Sequence, residues 1–291
     1  MTPGVMPRAA PRRARCLVGA LGTLGALALA TPSAGAQEAD STHAAPQPLF
    51  TRRDAVVAGS FALATVVLFP LDERIARELQ EPDAQGNRFL HHVATDVELI
   101  TSPGAMIIGG TLYVVGRAGR FARVADLGLH GTEAVVLGSA TTGVLKGIAG
   151  RARPYVAGDS NPANFGFLRG LRKRQGYTSF PSGHATAAFA AASAVTAETS
   201  RWWPRSTWVI APAMYGGATL VALSRMYHNK HWASDVALGA AVGTFSGLKV
   251  LRYNHAHPRN RLNRWLGGPS VAVAPDGSPA LAVSLRPAPA P

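Results

Sequence analysis

The chain has 291 residues, of which 47% are apolar and only 15% charged. That is well below the roughly 25% charge of an average soluble protein, so a membrane protein is favoured, although Ala and Gly hold the mean hydropathy to +0.10. The net charge of +13 would raise nucleic acid as a partner. However, the arginines lie in short loops between apolar stretches and form no basic helix face, which argues against it. The single cysteine, Cys16, excludes a disulfide framework and a cysteine metal site.

From the N-terminus, residues 1–36 read as an export signal. Arg8, Arg12, Arg13 and Arg15 precede an apolar run from Cys16 to Ala30, and Ala34-Gly35-Ala36 offers a small-x-small cleavage site before Gln37. The run is short for a membrane anchor, which favours cleavage over retention. Residues 37–53, with Pro46 and Pro48, read as a polar linker. A helical domain is expected over 54–251, followed by a tail over 252–291.

Within that domain, helix-length apolar segments fall at about 54–71, 98–116, 129–149, 183–199, 207–224 and 232–251. The first ends near Pro70, and the charged, periodic stretch Asp72 to Gln80 suits an interfacial helix. Later segments are rich in Gly, Ala, Ser and Thr, which fits close helix packing in a bilayer or in a soluble bundle; the segment lengths favour the bilayer. Asp96 and Glu98 read as a charged helix end. In the tail, Ser270 to Leu285 alternates around Pro275-Asp276-Gly277, so either a small hairpin or a disordered Pro-rich end is expected.

Three clusters at segment edges hold most of the groups a phosphate-handling site would want: Lys146-x6-Arg153-Pro154, then Pro181-Ser182-Gly183-His184, then Ser224-Arg225-x5-His231-x3-Asp235. Lys146, Arg153 and Arg225 would supply three cations to the charge that spreads over a phosphoryl group in flight. Ser182 and Gly183, just ahead of an apolar run, would open a helix whose backbone N–H groups face an anion. His231 and Asp235, four apart, share a helix face, so the carboxylate can orient the imidazole.

In residues, order and spacing the three clusters resemble the signature of the type 2 phosphatidic acid phosphatase family, over about 130–251. That family shares its core with vanadium haloperoxidases and bacterial class A acid phosphatases. The resemblance implies His231 as nucleophile, Asp235 as the partner that orients it and His184 as general acid. Lys146, Arg153, Ser182, Gly183 and Arg225 would then hold phosphate. It also implies no metal and no cofactor, and an all-α fold: a compact bundle of about six core helices, membrane-embedded, with the site at one end.

The expected activity is hydrolysis of a lipid phosphomonoester or diphosphate in the bacterial cell envelope. Its rivals are a soluble periplasmic acid phosphatase, a lipid phosphotransferase, a vanadium haloperoxidase and a non-catalytic phospholipid-binding protein. His43, His91, His92, His130, His228, His255 and His257 have no partners at metal-ligand spacing and read as loop or surface residues. Arg169, Arg172, Lys173 and Arg174 could recruit an anionic head group or form a solvated loop.

Alternating the apolar segments puts all three clusters on one side of a membrane. The arginines at 52, 53, 117, 120, 123, 201 and 205 fall on the other, cytoplasmic, side. The site would then face the periplasm, with the inner membrane as location and a soluble periplasmic bundle as the alternative. A cleaved signal followed by six crossings would instead put the site in the cytoplasm, so one of these premises must give way.

Overall fold

The computed structural model describes residues 48–97, 103–156, 161–173, 175–257, 260, 269–273 and 279–283. The export signal and most of the linker lie outside the described residues, as do Glu98, Arg174 and His43.

Helix α1 spans Arg52–Leu68. Thr51 caps it reciprocally with Asp54, whose carboxylate accepts from the Thr51 N–H at 2.7 Å while Asp54 N–H reaches the Thr51 hydroxyl. Pro70 tightens the chain into a 3-10 turn over Phe69–Leu71, and α2 follows at Asp72–Leu79. The exposed pairs Arg74–Glu78 and Glu73–Arg77 tie successive turns of α2, as expected of a surface helix. Asp72, however, is wholly buried rather than interfacial.

Short helices α3 (Pro82–Gln85) and α4 (Arg88–Asp96) lead to α5 (Gly104–Ala118) and then α6 (Ala122–Ala149). After a one-turn helix α7 (Arg169–Arg172) come α8 (Gly183–Trp202), α9 (Thr207–Tyr227) and α10 (Ala233–Ala256). The expected apolar segments therefore correspond to α1, α5, α6, α8, α9 and α10. A two-stranded antiparallel hairpin, β1 (Pro269–Val273) with β2 (Pro279–Val283), pairs Val271 with Leu281 in the tail.

The bundle is centred on α8, which packs on α6, α9 and α10; α1 lies on α10 and α5 on α6. Small residues set these distances. Gly239, Gly243 and Gly247 recur every fourth residue on α10, and a β-carbon on any of them would collide with α8 or the Ser182 carbonyl that precedes it. Two backbones can approach that closely only where side chains are missing. The wider apolar packing comes from Phe61 of α1, Phe189 of α8, Tyr215 of α9 and Val236 of α10.

Candidate active site

All three clusters lie at the same end of the bundle. Helix α6 carries Lys146 in its last turn and stops at Gly150, whose left-handed conformation (φ 53°) turns the chain into the segment 151–154. At α8 the N-cap is Ser182, its hydroxyl accepting from Ala185 N–H at 3.4 Å, and His184 sits in the first turn. Between α9 and α10 the chain turns tightly through Asn229 (φ 56°). The N–H groups of Lys230 and His231 both return to the Arg225 carbonyl, at 2.9 and 3.3 Å, which holds His231 beside Arg225.

Hydrogen bonds then join the clusters. Lys146 donates through Nζ to the Thr178 carbonyl at 2.5 Å, just ahead of the Ser182 cap, and its Cε is 3.6 Å from where a β-carbon on Gly183 would stand. Arg153 donates to the Lys230 carbonyl at 3.3 Å and reaches the Thr178 hydroxyl at 3.4 Å. Ser182 N–H donates to the Asp235 carbonyl at 2.9 Å. Every predicted site residue thus belongs to one connected region, with Ser182, Arg225, His231 and Asp235 buried and Lys146, Arg153, Gly183 and His184 partly open.

His231 Nδ1 lies 3.5 Å from Asp235 Oδ2, with both side chains buried. Burial first, and then the positive Lys146 and Arg153, outweigh the pull of Asp235 and bring the His231 imidazole from its usual 6.5 to about 3. At neutral pH the ring is therefore uncharged and keeps a lone pair. Burial also lowers Arg153, with neighbouring Arg225 adding to the effect against the opposing Tyr155. Cations crowded in this way favour an incoming anion, which relieves their mutual repulsion.

The residues that hold Asp235 were not singled out from the sequence. Arg151, two residues before Arg153, is fully buried. It donates to Asp235 Oδ1 at 2.5 Å, to the Ser234 hydroxyl at 2.8 Å and to Asp72 at 2.7 Å. Its guanidinium is also ringed by Phe69, Phe165, Phe180 and Trp232, each centroid within 5.7 Å. Asp72 accepts in turn from Ser234 N–H at 2.8 Å, and Asp235 Oδ2 accepts from the Ser179 hydroxyl and from Trp232 N–H. Arg151 could have been suspected as a charge inside a Gly-Arg-Ala-Arg-Pro run. Asp72, 162 residues from Ser234, carries no local signal.

Other expectations divide. Arg169 is not a solvated loop residue: it donates to the Gly150 and Asn164 carbonyls and lies over Tyr177 at 4.2 Å, pinning the loop after α6. Arg172 and Lys173 are exposed. His130 corrects the surface reading of the remaining histidines, because it lies buried inside α6 with 5% of its area exposed. A cleft of about 180 Å³, lined in part by Arg77, Gln80, Pro154 and Asn229, lies beside Arg153 and Lys230 in the chain.

A lipid A 1-phosphatase of Porphyromonas gingivalis is 38% identical over 92 residues, which cover 32% of this chain and 20% of that protein. The chain thus aligns with about a fifth of that relative's length. A solved transmembrane PAP2 type phosphatidylglycerolphosphate phosphatase from Bacillus subtilis is similar over 70% of this chain and 98% of that chain, at 17% identity and a TM-score of 0.33. At that score the two backbones differ too much for positions to be carried across. The PAP2 superfamily model matches residues 129–259, the stretch that holds all three clusters from Lys146 to Asp235, and in this segment the chain is similar to that superfamily.

Proposed function

We propose that the chain is a phosphatase that removes phosphate from a lipid through a phosphohistidine on His231, with residues 54–251 as its catalytic unit. The observation that carries this reading is the convergence of Lys146, Arg153 and Arg225 on a buried, neutral His231 backed by Asp235. His231 Nε2 attacks phosphorus, the bond from phosphorus to the leaving oxygen breaks, and His184 gives that oxygen its proton. As the ring gains positive charge, its Nδ1–H closes on Asp235, in the way that catalytic hydrogen bonds tighten once substrate is bound. Water then attacks phosphorus, His184 takes the water proton, and the N–P bond breaks to release phosphate. Lys146, Arg153 and Arg225 stabilise the equatorial oxygens in both steps, and the N–H groups at the start of α8 face the same anion.

A lipid substrate is favoured by the outer surface of the bundle. Val66 of α1 is 69% exposed and Trp208 of α9 is 83% exposed, and Ile107 of α5 also faces outward. Such rows of large apolar side chains suit acyl chains better than water. Arg52–Leu79 and Pro204–Tyr227 are long and apolar enough to cross a bilayer. The substrates in the relatives' names, lipid A and phosphatidylglycerolphosphate, are both phosphorylated lipids, and they define the class to test. The location that fits is the inner membrane, with the site towards the periplasm.

The test is phosphate release from a panel of lipid and soluble phosphoesters, with EDTA present and His231→Ala as control. The reading requires release from a lipid phosphoester that survives the chelator and falls by at least about 10³-fold in His231→Ala. Release that persists in that variant, or that only soluble esters support, overturns it.

A further inference from the structure

At the far end of the bundle from the phosphate pocket, three side chains from three helices meet in a way that the proposed chemistry does not use. His130 of α6, Glu198 of α8 and His255 of α10 bring Nδ1, a carboxylate oxygen and Nε2 within 4.8 Å of one another. On α6, His130 stands 16 residues before Lys146, or about 24 Å along the helix axis. His255 Nε2 is 2.8 Å from Glu198 Oε2. His130 Nδ1 is 3.6 Å from the same oxygen, too far for a hydrogen bond, and it is a buried ring nitrogen with no hydrogen-bond partner.

A buried imidazole nitrogen aimed at a carboxylate without bonding to it is a costly arrangement that a third body would relieve. A tetrahedral cation with bonds of about 2.0–2.2 Å spaces its ligand atoms about 3.3–3.6 Å apart, a range that the observed 2.8 and 3.6 Å separations approach. The charges agree as well. Glu133 lies one turn along α6 from His130; one of its oxygens accepts from Asn254 at 2.6 Å, and the other is buried without a partner. Two carboxylates and two imidazoles around a divalent cation are neutral overall. Two imidazole nitrogens and a carboxylate oxygen are a donor set for zinc rather than for calcium or magnesium, which prefer oxygen alone. The His255 side chain is 28% exposed and leaves a way in.

We propose that His130, Glu198 and His255 form a zinc site that clamps α6, α8 and α10 together at the end opposite the phosphate pocket. The site is structural and shares no residue with the proposed catalysis, so either reading can fail without the other.

The test uses the untagged full-length chain in detergent, stripped with EDTA and titrated with zinc against a competing chromophoric chelator. One zinc per chain with a Kd below about 10 µM is expected, with X-ray absorption showing two imidazoles and at least one oxygen. Glu198→Gln, which keeps the size of the side chain, and His255→Ala, at a partly exposed position, should each weaken binding by more than about 100-fold. His91→Ala should leave it unchanged, because His91 meets His92 and His228 edge-on near the surface and tests for adventitious binding there. Phosphate release by His255→Ala should stay at the wild-type rate. Absence of saturable binding at about 10 µM, or binding that both site variants retain, would falsify the proposal.

Discussion

Asp235 shows how much of this site depends on single residues. Its carboxylate gathers Arg151, Ser179 and the Trp232 N–H, with His231 at 3.5 Å, so the aspartate is fixed before it orients the imidazole. Arg151 is fixed in turn by Asp72, and both are fully buried. Asp72→Asn keeps the shape and removes the charge, leaving Arg151 with one anion in place of two. Thermal unfolding in detergent should report a loss of about 3–5 kcal/mol, the usual cost of breaking a buried pair from one side. His231 contributes a pH dependence of definite sign. Its folded value of about 3 lies below the 6.5 of the unfolded chain. Between those values the unfolded chain binds the proton that the folded one refuses, so stability is complete above pH 6.5 and declines as pH falls towards 3. The melting temperature of the wild type should therefore drop more steeply from pH 7 to pH 4 than that of His231→Asn, and parallel curves would rule out this contribution.

Among the elements, α8 and α10 govern the geometry. Ser182 caps α8 and also donates its N–H to the Asp235 carbonyl on α10, so the spacing of these helices sets the distance between the second and third clusters. Gly243 sits where α10 crosses α8, and a β-carbon there would meet the Thr186 carbonyl, a rigid backbone atom. Gly243→Val should cost about 1–3 kcal/mol or more by overpacking. It should also lower activity through the displaced pocket, although the residue touches no substrate; unfolding midpoints and kcat measured on one preparation check both effects. The segments that become α6, α8, α9 and α10 were visible as apolar runs of helical length. The short α4 was not, because its residues are mostly exposed and its cap, Asn87, gives only a weak local signal.

For the whole molecule, the side of a membrane on which the pocket lies follows from how α8 is oriented. The loop after α7 and the turn before α9 lie at opposite ends of α8, so reporters there must fall on opposite sides of a bilayer if α8 crosses it. Fusions after Lys173 and after Arg205 are expected to report periplasm and cytoplasm respectively. A cytoplasmic signal at Lys173 would reverse the proposed orientation. The apolar crevice of about 280 Å³ between α5, α6, α8 and α9, lined by Leu112, Val195 and Val221 among others, lies among the helices rather than at the three clusters and offers phosphate no polar partner.

Taken by itself, the sequence determined the helical class, the order of the main helices and the residues of the three clusters, because helix length, apolar runs and short spacings are local properties of the chain. It also identified His231 and Asp235 as neighbours, since four residues make roughly one helical turn. Only the tertiary structure decided that Asp72 and Arg151 hold Asp235, that Arg169 braces a loop, and that His130, Glu198 and His255 converge. Most of those contacts join residues 19 to 162 positions apart, and no local pattern records them. They exist because small residues let the helices close to a distance at which buried charges must find one another.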